Sequence, residues 1–509
     1  GNGINAGIIF LARVQEQAKL GGSIESTLKV AIEETAWPTL AAALAAAGAY
    51  ASLVLTDFRG FRQFGWIGGL GLVLCWATTF VVSPVLVRYF YKNLTRRAAF
   101  NGPPISGYVA SFVMGRPRLI MALMGVLVAG SVLGMARRHS DWLETDFSRL
   151  RRADSFVSGE RYWGKRMDAT LHRYLTPTVV MTDSGEEAQR VALALHELSS
   201  SGHAGGLIAS VRSAADVLPP TRDAALAEAR LLKESLTSSM LASMTPADRE
   251  RVQKALSEKA LQPVTAADIP TALVAGLRDT EGRIDRNVLV FPVLSPRTWE
   301  ADHIAAFAHD LRAAAHSVSS SAVATGPLLL SSDIIDAMKR DGPRSTLIAL
   351  CTALVVTLLA FRTVGLSLLA VSSLTLGVVL MLGGAAWSGE RINFSNLIAL
   401  PITFGIAADY SINVLKRYQS GATLRDSVAN TGGAVALCSV TTVIGYGSLL
   451  VAENQALFSF GALSVAGELS GLVTATLLLP AFLVWRGASR PSSRLPLPTG
   501  GHGRLGLDP

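Results

Sequence analysis

Charge is scarce in this sequence: Asp, Glu, Lys and Arg make up 17% of 509 residues, while half are hydrophobic. That balance excludes an ordinary soluble enzyme and points to an integral membrane protein. Cysteine is scarcer still. Cys75, Cys351 and Cys438 all lie in apolar runs, and none has CxxC spacing, so no disulfide framework, zinc site or redox pair is expected. The eight histidines fall outside the apolar runs. His303, His309 and His316 share one expected helix, but gaps of six and seven do not suit a metal pair, and they read as solvated surface. No cofactor is expected. There is no GxxxxGK[ST] loop, which disfavours an ATP-driven pump, and no nucleophile elbow, HExxH helix or paired-acid hydrolase site. The chain does not read as an enzyme. Its net charge of +8 would suit nucleic acid, but the basic residues crowd short loops between apolar runs. That is a topology pattern, and no nucleic-acid partner is expected.

What is abundant is long apolar sequence. Eight runs, near 37–56, 64–87, 118–135, 345–361, 364–387, 392–415, 432–452 and 456–485, are long enough, or nearly so, to span a bilayer. The segments 13–36, 88–118, 362–363, 416–431 and the tail after Trp485 hold 17 Lys and Arg. The short loops on the other side hold Arg59, Arg62 and Arg391. The positive-inside rule therefore places the first set in the cytoplasm. The connector 88–117 has several basic residues and no acid, so it either lies on anionic headgroups or merely sets topology. The opening run "GNGINAGIIFLA" is only a dozen residues long, and the chain reads as starting within a helix of a longer protein.

These bounds give an expected organisation. Residues 1–87 hold a helix stub and two spans; 88–117 is the cytoplasmic connector; 118–135 is a span. Residues 136–344 form a domain outside the cytoplasm, 345–485 hold five spans, and 486–509 read as disordered. In the external domain "PTVVMT" (177–182), "GLIASVRS" (206–213), "NVLVFPVL" (287–294) and "SAVATG" (321–326) read as strands. Helices are expected at 185–200 and 299–316, with a charged helical section over roughly 222–280 between the two halves. Two split βαβ units of this kind build a ferredoxin-like α+β sandwich. The helix starting near Pro327 should run on into the next span.

The chain repeats itself. Gly1, Ile8, Leu11, Arg13 and Gln15 recur as Gly405, Ile412, Leu415, Arg417 and Gln419. At a shift of 396, Tyr50, Ser52, Leu53, Phe64, Gly65, Gly71, Thr78 and Pro84 recur as Tyr446, Ser448, Leu449, Phe460, Gly461, Gly467, Thr474 and Pro480. The copies lie an even number of spans apart and so share one orientation, a parallel repeat about an axis along the membrane normal.

Within "GIAADYSINVLKRYQ" (405–419), Asp409 sits in an apolar run that begins at Ile392. A carboxylate near the centre of a spanning helix costs about 2.5–3.5 kcal/mol on insertion scales. It reads either as a group that loads and loses a proton, or as one that snorkels or pairs with Lys416 to fix the helix. Asn413 lies one turn on. Thr441 and Thr442 on the next helix are expected to supply hydroxyls, and Pro401 and Gly405 to loosen the helix. Tyr410 reads as a relay partner or an interfacial anchor. Glu468 reads as a relay member or a buried acid with a partner elsewhere. Asn5 reads as a hydrogen-bonding partner for the opposite helix, and Asn393, Ser395 and Asn396 as interfacial polar residues.

The motif at 405–419, the repeat, the βαβ domain and "ATGPLLLSSDIIDAMKRD" (324–341) together resemble the RND superfamily, in its MMPL branch of hopanoid- and mycolate-type lipid exporters. The resemblance covers essentially the whole chain and makes residues 1–15 the end of a fourth helix. It implies proton-driven export of a lipid or other hydrophobic molecule from the bacterial inner membrane, with a porter-like periplasmic domain. It also implies an Asp-Tyr pair that exchanges protons, a role that falls on Asp409 and Tyr410. Here the sequence departs from the family: the first-half equivalents are Asn5 and Ala6, which do not titrate, so the proton stoichiometry is left open. The missing N-terminal half would be a partner, and a homo-oligomer or periplasmic accessory protein is left open. The other reading on this plan is a lipid- or sterol-sensing protein, or a protein-translocation accessory, that does not itself transport.

Overall fold

The computed structural model describes residues 2–21, 23–98, 105–138, 142–172, 174, 176–201, 206–217, 222–257, 261–262 and 269–487. Almost all of the expected disordered tail, at 488–509, lies outside these residues, as do Gly1 and part of the basic connector. The chain divides into two compact units, one of Gly1–Glu144, Arg149–Ala153 and Ala337–Pro509, the other of Thr145–Ser148 and Asp154–Asp336.

The first unit is helical. It opens with α1 (Asn5–Ala18), α2 (Ile24–Ala51), α3 (Arg59–Ala98), the short α4 (Ile105–Gly115) and α5 (Pro117–Arg137). The second unit contributes α6 (Glu160–Leu171), β1 (Thr178–Met181), α7 (Gly185–Ser200), β2 (Ile208–Arg212), α8 (Arg222–Ser235), α9 (Ser238–Ser243), α10 (Pro246–Ala255), α11 (Thr271–Val274), β3 (Asn287–Pro292), α12 (Ala301–Val318) and β4 (Val323–Thr325). Then come α13 (Pro327–Phe361), α14 (Val364–Ser388), α15 (Ala399–Gln419), α16 (Leu424–Asp426), α17 (Gly432–Gly447), α18 (Gln455–Val473) and α19 (Leu479–Trp485). Among the described residues eight helical segments are long and apolar enough to cross a membrane, and they coincide with the eight apolar runs. As expected, the helix from Pro327 is continuous with the run that ends at Phe361.

Helix α15 is the core of the first unit. Every residue from Ala399 to Leu415 is buried except Leu400. It packs against α2, α14 and α18. Small residues permit this. The α2 face that meets it carries Ala42, Ala45, Ala46 and Ala49, and a Cβ added at Gly405 would lie 2.9 Å from both Ala46 Cα and Ala49 Cβ. Backbones that close exclude lipid and water from α15, and small-residue packing of this kind is how helices associate in a bilayer.

The internal repeat is structural as well as sequential. Helices α2 and α17 each end in a 3₁₀ turn, at Ser52–Leu55 and Ser448–Val451, four residues offset by 396 in both bounds. Tyr50 packs on Phe64 at 5.6 Å between ring centroids, and Tyr446 on Phe460 at 5.8 Å. A Cβ on Gly65 would lie 2.7 Å from the Tyr50 carbonyl oxygen, and one on Gly461 would lie 2.9 Å from that of Tyr446. The same glycine admits the same backbone twice.

In the second unit the four strands form one antiparallel sheet in the order β2-β3-β1-β4, with Val179 opposite Leu289 and Val180 opposite Ala324. Helix α7 starts at Ser184, whose hydroxyl accepts from the Glu187 amide at 3.3 Å, and acidic Glu186 and Glu187 suit the positive helix end. Its stripe of Ala188, Val191, Ala192 and Leu195 packs with Ile304, Phe307 and Leu311 of α12 over Val180, Val211, Val288 and Val290. Leu289 and Phe291 point the other way and are covered by Ile269, Val274, Leu277 and Ile284. The unbroken burial of β3 follows, since both of its faces are packed.

Candidate functional site in the central helix

Helix α15 carries Asp409, Tyr410 and Asn413 into the bundle interior, with 8%, 0% and 3% of their surfaces exposed. Asp409 is held by two amides. Asn5 Nδ2 on α1 donates to Oδ2 at 2.6 Å, and Asn413 Nδ2 donates to Oδ1 at 2.7 Å. Among the described residues no Lys or Arg pairs with it. Lys416, the cation expected nearby, donates instead to Gln419 Oε1 at 2.8 Å and sits over the Phe361 ring. The alternative in which Asp409 merely forms an ion pair with Lys416 is therefore not what the structure adopts. A buried carboxylate without a counter-ion is sustained only by its hydrogen bonds, and removing its charge requires nothing but a proton.

One residue on, Tyr410 points to a different helix. Its hydroxyl donates to Glu468 Oε1 on α18, and Glu468 is fully buried. Tyr410 is thus buried in the bundle, and its hydroxyl is a partner of the acid. Glu468 Oε2 and the Ser439 hydroxyl are buried with no hydrogen-bond partner among the described residues. Cys438 Sγ faces the Asn5 carbonyl oxygen at 3.7 Å.

Two expectations need correction. Thr441 and Thr442 do not bond to Asp409. Thr441 Oγ1 donates to the Cys438 carbonyl at 2.7 Å; Thr442 Oγ1 reaches the same carbonyl at 3.0 Å and Asn2 Oδ1 at 3.2 Å. Hydroxyls in a helix readily back-bond to their own preceding turn, and these do. Asn393 and Asn396, expected as interfacial polar residues, are buried within the protein, with both side-chain amides donating to Ser459 Oγ, at 2.8 and 2.7 Å, while Ser459 donates to Glu390. Asn393 Oδ1 also accepts from the Ser395 and Asn396 amides, so this cluster shapes the chain's entry into α15.

Asp409 lies between two spaces. A small one of about 20 Å³, lined by Asn2, Asn5, Trp76 and Asp409 itself, is the size of one water. A larger one of about 440 Å³ opens toward the C-terminal end of α15 and includes Asn413 in its wall. Asn413 thus touches both the carboxylate and the larger cavity. The cavity's charged lining is Arg13, Glu16, Glu33, Glu34, Lys416 and Arg417, and the cluster of Arg13, Glu16, Glu34 and Arg417 within it was not recognised from sequence as a group. The recurrence of Arg13 as Arg417 was the one signal that could have found it.

A model of the MMPL family matches residues 1–102 and 260–497. The chain belongs to the MMPL family. Similar proteins include a "Hopanoid transporter HpnN" of Rhodopseudomonas palustris, 23% identical across 95% of this chain and 60% of the relative. A protein of the same name from Burkholderia multivorans is 23% identical across 95% of this chain and 59% of its own length. The chain therefore spans about three-fifths of the curated relatives it matches. Among solved structures, SecDF from Thermus, a translocon-associated membrane protein, aligns with a TM-score of 0.52 and 14% identity over 96% of this chain and 53% of that one. That likeness is one of fold. The sequence resemblance to the MMPL branch of the RND superfamily is borne out.

Proposed function

We propose that this MMPL-family chain is the proton-coupling part of a transporter, not an enzyme, that exports a lipid or other hydrophobic molecule from the inner membrane. The observation that carries the reading is Asp409: a carboxylate buried at the centre of the bundle, held by two neutral amides, with water-sized space on one side and a larger cavity on the other. Protonation of Asp409 alters its bonding to Asn5 and Asn413, which lie on different repeats, so proton traffic is linked to the fit between α1 and α15. Tyr410 and Glu468 extend the relay to α18. Two relatives named as hopanoid transporters support the lipid class of cargo. The basic C-terminal end of α15 supports placing the larger cavity on the cytoplasmic side. The second unit is then periplasmic. Its strand order β2-β3-β1-β4, with a helix after β1 and another after β3, supports reading it as a ferredoxin-like porter domain.

The fold shared with SecDF favours one second reading, an accessory to protein translocation on the same plan. Reconstituting the complete protein in vesicles and following release of a hopanoid-like lipid, with and without a proton gradient, separates the two. Release that needs the gradient supports export. Binding that ignores the gradient, with no release, overturns it.

A further inference from the structure

Arg13 and Arg417 occupy the same position in the two repeats and share the same two acids. Arg13 Nη1 lies 2.5 Å from Glu16 Oε2 and its Nη2 lies 2.6 Å from Glu34 Oε2. Arg417 Nη1 lies 2.5 Å from Glu34 Oε2 and its Nη2 lies 3.1 Å from Glu16 Oε1. Each glutamate bridges both arginines, and Asn430 Nδ2 adds a bond to Glu16 at 3.2 Å. The four charges sum to zero and tie α1, α2 and α15 at one end of the bundle. Their arrangement is not symmetric. The repeat counterparts of Glu16 and Glu34 are Ser420 and Asn430, so both acids come from the first repeat. Conversely the buried carboxylates Asp409 and Glu468 come from the second, opposite Asn5 and Leu72. The acids have been divided between the copies.

The cluster and Asn413 share the wall of the 440 Å³ cavity. Arg417 stands eight residues beyond Asp409 on α15, which is about two turns or roughly 12 Å along the axis. The arginine side chains are 10% and 18% exposed, against 29% and 37% for Glu16 and Glu34, so the guanidinium groups lie inward of the acids that bridge them. Any displacement of α15 relative to α1 and α2 must break or re-pair these contacts.

We propose that Arg13, Glu16, Glu34 and Arg417 form a positioning gate over the cytoplasmic port of the proton path: paired, they restrict passage between bulk water and Asn413; separated, they open it. The proposal rests on the reading of the cavity as the inner leg of that path. Protons enter and leave through water in the cavity, and no bond in the cluster is made or broken covalently.

The gate is testable without a proton gradient or a cargo. Ile9 is a buried residue of the cavity wall, and it is the repeat counterpart of Asn413. In the complete protein with Cys75, Cys351 and Cys438 replaced by alanine, Ile9→Cys is labelled with a membrane-impermeant maleimide in sealed inside-out vesicles. Glu34→Gln removes one ion pair from each arginine and should speed labelling from the cytoplasmic face by about tenfold, the shift expected when about 1.4 kcal/mol of pairing is lost. Glu34→Asp should restore the slow rate. Equal rates in all three proteins, acceleration only from the opposite face, or a Glu34→Asp as fast as Glu34→Gln each overturn the gate. Should Glu34→Gln not assemble in the membrane, Glu16→Gln makes the same test, since it too takes one pair from each arginine. Unchanged labelling beside a transport-dead Asp409→Asn would reject the gate alone. Accelerated labelling beside a fully active Asp409→Asn would reject the relay alone.

Discussion

At the scale of single residues, the site depends on hydrogen bonds between side chains of different helices. Asp409 keeps its place through Asn5 and Asn413, and Glu468 through Tyr410. Tyr410→Phe keeps the ring and its packing but leaves Glu468 Oε1 without that donor. A buried acceptor deprived of its partner costs about 1–3 kcal/mol. We expect a membrane-inserted protein with a lower thermal midpoint and slower gradient-driven release; wild-type release would remove Tyr410 from the relay. Asp409 was legible in the sequence because one acid in an apolar run has no cheap explanation. Asn5 was legible only through the repeat, which aligned it with Asp409. Glu34 was not: Arg and Glu near a helix end look like topology and solvent until the tertiary fold brings α1, α2 and α15 together. Thr441 and Thr442 misled because a hydroxyl's position on a helix says nothing about whether it bonds outward or to its own backbone.

Among the helices, the decisive quantity is the distance between α15 and its neighbours. Gly405 lets α15 approach Ala46 and Ala49 of α2, and side-chain volume there has nowhere to go. Gly405→Leu should separate the two helices. Overpacking of this kind costs about 1–3 kcal/mol or more, and because Asn5 and Asn413 grip Asp409 from different helices, transport should fall with it. Retained thermal stability and transport in Gly405→Leu would contradict the packing argument. The spans themselves were readable from hydropathy, and the strands of the second unit from short β-branched runs such as "TVVM" and "NVLVFP". What periodicity could not supply was the order β2-β3-β1-β4, because pairing partners across roughly a hundred residues leave no local trace. Nor could it show Asn393 and Asn396 to be buried, since short polar side chains at a helix start look the same in water or against Ser459.

For the whole molecule, two copies of one helical plan have kept their packing and divided their chemistry. The matched Tyr-Phe pairs and the matched glycine contacts preserve the shape of each copy. The buried acids Asp409 and Glu468 lie in the second copy and the acids of the Arg cluster in the first. One titrating site between two repeats suffices to bias their fit, since a proton that binds one arrangement better than the other shifts the balance by that difference. The most direct test of this account is proton movement itself. In vesicles holding the complete protein and a pH-sensitive dye, addition of lipid cargo should cause proton flux in the wild type. Asp409→Asn, inserted and folded to the same level, should show none. Undiminished flux in Asp409→Asn would contradict the account.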